Sequence, residues 1–170
     1  MSDLVLKSPR LILRPACAED AEDVYLNINN WDVSRMIARP PWPYPRELAD
    51  VFVRTTSSSV IEHDGEVVGA ISIVGRQRGY NVGFWLGRRH WGKGLMSEAA
   101  ATLIEAFFAG LGDVSLYSAY LLDNPASWRV QEKLGLVKVG PCRLDINSRG
   151  SEQPGMQTLL TRAAFEARSP

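Results

Sequence analysis

The chain has 170 residues, with 19 Lys and Arg against 19 Asp and Glu and a hydrophobic fraction of 45%. Those values exclude a disordered chain, which needs low hydrophobicity and high net charge, and a general nucleic-acid binder, which needs surplus cations to neutralise phosphates. No apolar run approaches the ~20 residues of a membrane span, and MSDLVLKSPR holds no apolar stretch of signal-peptide type.

One domain over residues 1–170 is expected from the length. Cys17 and Cys142 have neither metal-ligand spacing nor a disulfide framework, so a reduced cytoplasmic protein without a metal is the expectation.

In chain order, residues 11–13 read as a short strand between Pro9 and Pro15. Residues 18–29 read as a helix whose first turns carry Glu19, Asp20, Glu22 and Asp23, where acids favour the helix dipole. Four prolines within residues 39–45 force a stiff extended loop, and a helix follows over 46–55. Residues 59–63 and 66–74 read as strands joined by Asp64-Gly65, the strongest short hairpin signal. Residues 76–79 turn, and 81–86 form the next strand.

After Gly94 the period changes. Ala99, Leu103 and Phe107 form one apolar line with Ala100, Ile104 and Phe108 beside it, which predicts a helix ending near Gly110. A strand over 114–122, a helix over 126–134 closed by Gly135 and a strand over 136–139 come next. A loose loop over 147–155 then leads to a last strand over 156–162. Antiparallel strands first and helical crossings later give a mixed α/β (α+β) class around one sheet.

Charge is unevenly spread. Residues 67–97 contain no Asp or Glu but hold Arg76, Arg78, Arg88, Arg89 and Lys93, leaving a formal −5 elsewhere (14 bases against 19 acids). Acid-poor apolar strands account for part of this pattern; a site for an anionic ligand accounts for it equally well. Inside the zone, the strand ending at Leu86 runs into a glycine-containing loop that opens a long helix. The first turn of a helix leaves N–H groups without partners, and the dipole adds positive potential. Gly92 and Gly94 clear side chains from the backbone, and Arg89 and Lys93 flank them, so a phosphorylated ligand is expected. Gly87-x-x-x-x-Gly92-Lys93 approaches a nucleotide P-loop, with Leu121-Leu122-Asp123 as its strand partner, but Gly94 stands where Ser or Thr should hold magnesium.

Arg89-His-Trp-Gly92-Lys-Gly94 resembles the Arg/Gln-x-x-Gly-x-Gly/Ala signature of the GCN5-related N-acetyltransferases (GNAT). Asn124-Pro-Ala-Ser127 followed by Lys133-Leu-Gly135-Leu136 resembles that superfamily's second characteristic segment. Ser8-Pro-Arg-Leu-Ile-Leu-Arg-Pro15, Gly83-Phe-Trp-Leu and Ser97-Glu-Ala resemble its RimJ/RimL-like branch, which acetylates N-terminal amines of ribosomal proteins.

The resemblance spans nearly the whole chain. It implies a GNAT-like acyl-CoA N-acyltransferase fold, with one mixed, mostly antiparallel twisted sheet flanked by helices, and acetyl-CoA as cofactor. It also implies a wedge between the strand ending at Leu86 and the strand ending near Leu122. Phe84, Trp85 and Leu86 would line the pantetheine arm. Backbone at Trp91, Gly92, Lys93, Gly94, Leu95 and Met96 would cradle the pyrophosphate, with charge from Arg89 and Lys93. Asn124 would bond the arm.

The implied reaction is direct attack of a primary amine, on a protein N-terminus or a small molecule, on the thioester. The Leu86 N–H would be the oxyanion donor and Ser127 the group assisting the departing sulfur. The position where many relatives carry a Tyr acid is Gln131, and the strand before Asn124 lacks the Glu some relatives use as base. A retired CoA-binding sensor or interaction module therefore stays open as an alternative, and so does a P-loop-like nucleotide binder. The resemblance also implies an acceptor pocket built by the aromatic, proline-rich segment Trp31–Pro45, with Trp42, Tyr44 and Asp32 as candidates for the acceptor side. A homodimer follows from family habit alone.

Overall fold

A computed structural model describes residues 4–77, 79–111 and 114–167. Arg78 of the cationic zone and the first three residues of the N-terminal reading lie outside them. The strands are β1 (Leu6–Lys7), β2 (Ile12–Pro15), β3 (Ser59–His63), β4 (Glu66–Arg76), β5 (Gly79–Leu86), β6 (Ser115–Leu121), β7 (Val137–Ile146) and β8 (Ser151–Thr161). The helices are α1 (Ala21–Ile28), α2 (Trp31–Ser34), α3 (Arg46–Thr55), α4 (Leu95–Gly110), α5 (Pro125–Lys133) and α6 (Arg162–Glu166).

All eight strands form one sheet in the order β1-β2-β3-β4-β5-β6-β8-β7. Every described pair is antiparallel except β5–β6, the junction on which the site depends. The mixed, mostly antiparallel α/β class expected from the sequence is the observed one.

The hairpin signal forms its turn as expected. Asp64 and Gly65 both take positive φ, 52° and 81°, and His63 pairs with Glu66. The α4 face lies on the sheet, with Ala99, Ala100, Leu103, Ile104, Phe107 and Phe108 all buried against Leu11, Ile71, Val82, Leu116 and Leu160. Each such large side chain contributes about 1.5–3 kcal/mol by leaving water. On the other side, α1 and α3 pack Val24, Ile28, Ala49 and Val53 onto Val60 and Val67.

Arg14 ties β2 to β3 and to the start of the α1 region. Its guanidinium holds Asp20 through two contacts of 2.8 Å and Glu62 at 2.6 Å. Asp20 in turn accepts the Cys17 N–H at 2.8 Å, which caps the start of the α1 region.

Three elements differ from the sequence reading. Residues 147–155 are not a loose loop. β7 extends to Ile146, a single 3₁₀ turn spans Asn147–Arg149, and β8 begins at Ser151. Gly140, Pro141 and Pro154 mask the strand period, but β8 pairs along both its neighbours and supplies the ladder. The short strand β1 and the single-turn helix α2 carry no periodicity of their own. Asn30 makes α2 by accepting the Asp32 N–H at 3.0 Å.

Candidate active site

Strands β5 and β6 are paired only at Tyr80–Leu116 and Asn81–Tyr117. Past those residues the ladder stops, and the Ser118 hydroxyl bridges the gap once, donating to the Val82 carbonyl at 3.0 Å. The register with β4 fixes what faces the opening. Gly87 N–H donates to Val68 O at 2.8 Å, so Gly69 and Leu86 are a non-hydrogen-bonded pair. The main-chain groups of Leu86, and by alternation those of Phe84, therefore point away from β4 and towards β6. The Leu86 carbonyl takes the Trp91 indole N–H at 2.6 Å. The Leu86 N–H and both main-chain groups of Phe84 lie beyond the last β5–β6 pair, on the side of the strand that borders the cavity.

The loop after β5 is held by packing. Asn27 donates to Val67 O at 3.0 Å and Asp23 O at 2.9 Å, and its side chain lies so close to Gly87 that a Cβ there would meet Oδ1 at 1.8 Å. A 3₁₀ turn over Arg88–His90 follows. Gly92 and Gly94 then both adopt φ of 76°, a left-handed conformation that disfavours side chains. A Cβ at Gly92 would meet nothing within 4 Å. Gly94 begins α4 without a side-chain cap. Among the described residues, no side chain accepts from the N–H groups of Leu95, Met96 or Ser97, which lie in the first turn.

Glu98, in the same turn, is claimed by its neighbours. It accepts from Ser8 Oγ at 2.7 Å, Arg10 N at 2.9 Å and Arg10 Nε at 2.7 Å. Burial alone would raise its carboxyl pKa, but these bonds outweigh burial and hold it below the ordinary range. Its charge is thus matched by Arg10 rather than projected onto the helix terminus.

Arg89 and Lys93 do not line the opening. Arg89 pairs with Glu66 at 3.0 Å and donates through Nε to His90 Nε2 at 2.9 Å. Arg88, on the neighbouring position, lies over the Trp91 ring at 4.9 Å. His90 is buried with no partner for Nδ1. Burial, with the positive fields of Arg89 and Lys93, pushes its pKa down.

On the opposite bank, Asn124 caps α5 by accepting the Ser127 N–H at 3.1 Å. Ser127 Oγ accepts from Gln131 Nε2 at 3.1 Å. Gln131 is buried, and its Oε1 accepts from the buried Thr158 hydroxyl at 2.6 Å. The amide is therefore fully oriented, and it leaves the Ser127 hydroxyl hydrogen to point elsewhere.

These banks enclose a cavity of about 580 Å³. Phe84, Trp85, Leu86, Trp91, Gly92, Gly94, Leu95, Met96, Asn124 and Ser127 all line it, as does Tyr120. Glu62 and Glu66 are paired with Arg14 and Arg89 and do not. Of the acceptor-side candidates, Tyr44 is buried in the α1–α3 layer, Trp42 packs edge-on against Trp31, and Asp32 pairs with Arg88 and Arg35.

Within the Trp31–Pro45 segment, the cavity is lined by Val33 of α2 and by Met36, Ile37 and Ala38 after it, rather than by Asp32, Trp42 or Tyr44, and the sequence reading missed the rest of this far wall, Leu144 and Ile146 of β7. No local motif marks it; the turn formers Asn147 to Gly150 are the only signal that the chain folds back there.

A bare strand edge leading into an uncapped helix terminus suits an extended ligand with a phosphorylated end, and the hydroxyl opposite offers a proton donor. Residues 10–137 match the model of the Acetyltransferase (GNAT) domain. The chain belongs to the GNAT acetyltransferase family. Among its relatives, the uncharacterized N-acetyltransferase YoaA of Bacillus subtilis is 26% identical, over 86% of this chain and 90% of that one. The GNAT acetyltransferase of Bacillus anthracis superposes with a TM-score of 0.80 at 22% identity, over 93% and 98% of the two chains. Mycobacterium smegmatis RimJ, solved with CoA-disulfide, gives 0.73 at 19% identity, over 98% of this chain and 88% of its own. This GNAT chain thus shares its fold with that enzyme. Among its described residues, no helix is long and apolar enough to cross a membrane, and no cluster of three His, Cys, Asp or Glu could hold a metal.

Proposed function

We propose that this acetyltransferase uses acetyl-CoA and transfers the acetyl group to a primary amine by direct attack. The observation that carries the reading is the unpaired edge of β5 at Phe84 and Leu86, continuous with the open amides at the start of α4. The residues fit such a cofactor. Phe84 offers both an N–H and a carbonyl to the amides of an extended arm. The space over Gly92 lets a diphosphate reach main-chain N–H groups at the positive end of a helix. Lys93, next to it, adds positive charge from the rim, while Arg89 is paired with Glu66.

Acetyl-CoA supplies the acyl group as an activated thioester. The chain's own residues then have three tasks. The Leu86 N–H donates to the oxygen on which negative charge develops. The Ser127 hydroxyl donates towards the departing sulfur, its own oxygen held by Gln131. The walls hold both reactants together, which supplies much of the acceleration. Among the described residues no carboxylate lines the cavity, so the amine enters as the free base or loses its proton to water.

The test pairs calorimetry with CoA and a thiol-release assay across a panel of amines. Binding of CoA with acetyl-CoA-dependent thiol release supports the reading. CoA binding without release on any amine leaves a ligand-binding module. Absence of CoA binding overturns the assignment of the loop.

A further inference from the structure

The far wall of the cavity says what kind of amine can enter. Among the described residues, no Asp or Glu lines the cavity at any point; its charged side chains are Arg129 and Lys133, both positive. Val33, Met36, Ile37, Leu144 and Ile146 line it from α2, the segment after it and β7, and each is apolar.

Two carboxylates that adjoin lining residues in the chain, Asp32 and Asp123, are already matched. Asp32 lies 3.5 Å from Arg88 and 3.9 Å from Arg35, and Asp123 lies 2.9 Å from Arg149 and 3.7 Å from Arg35. Turning either one inward would strip an arginine of its partner.

The wall is also strapped in place. Asn147 donates through its main chain to Ala38 O at 2.9 Å and through its side chain to Arg39 O at 2.8 Å. The Ser148 hydroxyl donates to Ser34 O at 2.9 Å, and Arg149 Nε donates to Arg35 O at 2.8 Å. The 3₁₀ turn between β7 and β8 thus satisfies the carbonyls of the segment after α2 and holds Met36 and Ile37 against the opening.

An ammonium group desolvated against such a wall has no counter-charge, and burying an unpaired charge is costly. An apolar group in the same place gains by leaving water. We propose that the acceptor is an apolar monoamine: a primary amine on a hydrocarbon or aromatic body with no second cationic group. This rests on the acetyltransferase reading above and narrows it. The amine can come from a small molecule or from a peptide N-terminus with an apolar first side chain, because the wall meets the same chemistry in both. Polyamines and aminoglycosides are excluded.

The experiment measures kcat/KM by thiol release with the full chain and acetyl-CoA. The acceptors are phenethylamine, a short neutral peptide beginning with Phe, spermidine and kanamycin. We expect one or both apolar amines to exceed both polycations by about tenfold or more, the equivalent of ~1.4 kcal/mol. Which of the two turns over faster distinguishes the sources. The variant Ile37→Glu places a carboxylate in the wall and is expected to narrow the ratio by about tenfold, with Ile37→Gln as the uncharged control. Equal or faster turnover of spermidine or kanamycin by the unaltered chain overturns the proposal and leaves the acetyltransferase reading standing. Turnover of none of the four overturns it as well, and CoA calorimetry on the same sample then decides whether the acetyltransferase reading falls with it.

Discussion

Gln131 donates its side-chain amide to the Ser127 hydroxyl oxygen at 3.1 Å, one helical turn away on α5. Its other end accepts from Thr158 of β8, so the amide cannot flip without breaking a buried bond. A hydroxyl that accepts on one side keeps its own hydrogen for another partner. Gln131, at the position where the family resemblance implies an acidic phenol, therefore orients the hydroxyl proposed above as the proton donor.

Replacing Ser127 by Ala is expected to lower kcat by about tenfold or more while CoA affinity stays within about twofold. Gln131→Met removes the orienting bond and leaves the Thr158 hydroxyl buried without its acceptor, costing about 1–3 kcal/mol of stability. Its loss in kcat should be smaller than that of Ser127→Ala. Steady-state kinetics with calorimetry and urea unfolding separate the two effects. Unchanged kcat in Ser127→Ala removes the hydroxyl from the chemistry.

The φ of 76° at Gly92 and the empty space around its absent Cβ act in different ways on a substitution. Gly92→Ala meets no atom of the protein and carries only the left-handed backbone penalty, about 1 kcal/mol of stability. Gly92→Glu carries the same penalty and adds an anion where the diphosphate is proposed to sit. CoA binding should weaken slightly in the first and vanish in the second, read by calorimetry on variants matched for melting temperature. Equal affinities in the two variants would place the diphosphate elsewhere.

Asn124 has two ends with separable duties. Its Oδ1 caps α5 by accepting the Ser127 N–H at 3.1 Å. Loss of such a cap costs about 1 kcal/mol of stability. Asn124→Asp keeps the capping oxygen and removes the amide donor, whereas Asn124→Ala removes both. If the amide bonds the pantetheine arm, both variants lose CoA affinity by ~1 kcal/mol or more, and only Ala lowers the melting temperature. Full affinity in Asn124→Asp would reduce this residue to a cap.

Local signals in the sequence carried further than long-range ones. The period of Ala99, Leu103 and Phe107, the Asp64-Gly65 turn and the glycines of the α4 loop each act over a few residues, so each was readable without a partner. The class of the sheet followed from their order. The strap from Asn147–Arg149 to residues 34–39 was not readable. It joins positions more than a hundred apart through main-chain carbonyls, which carry no residue identity. The same holds for Arg89. Its place in the signature suggests a phosphate contact, but Glu66 on a neighbouring strand takes its guanidinium. Tyr44 reads as an acceptor-side candidate in a proline-rich loop, and only the packing of α1 and α3 shows that it is buried between them.

His90 sets a limit on acid stability. It is 7% exposed, its Nε2 accepts from Arg89, and its Nδ1 has no partner. Burial, followed by the fields of Arg89 and Lys93, lowers its pKa below the ordinary 6.5. The unfolded chain then binds a proton that the folded chain refuses. The stability this group contributes is complete above about pH 6.5 and is lost as pH falls from there through the lowered folded value. The carboxyls of Asp20 and Glu98 are also lowered, from 3.8 and 4.5, so their contributions are lost only in more acid solution. Urea midpoints taken from pH 8 to pH 5 should therefore fall for the unaltered chain below about pH 6.5, and fall less for His90→Gln, whose side-chain oxygen can still accept from Arg89. His63 is present in both proteins, so the difference between the two curves belongs to His90. Parallel curves would assign the loss to another group.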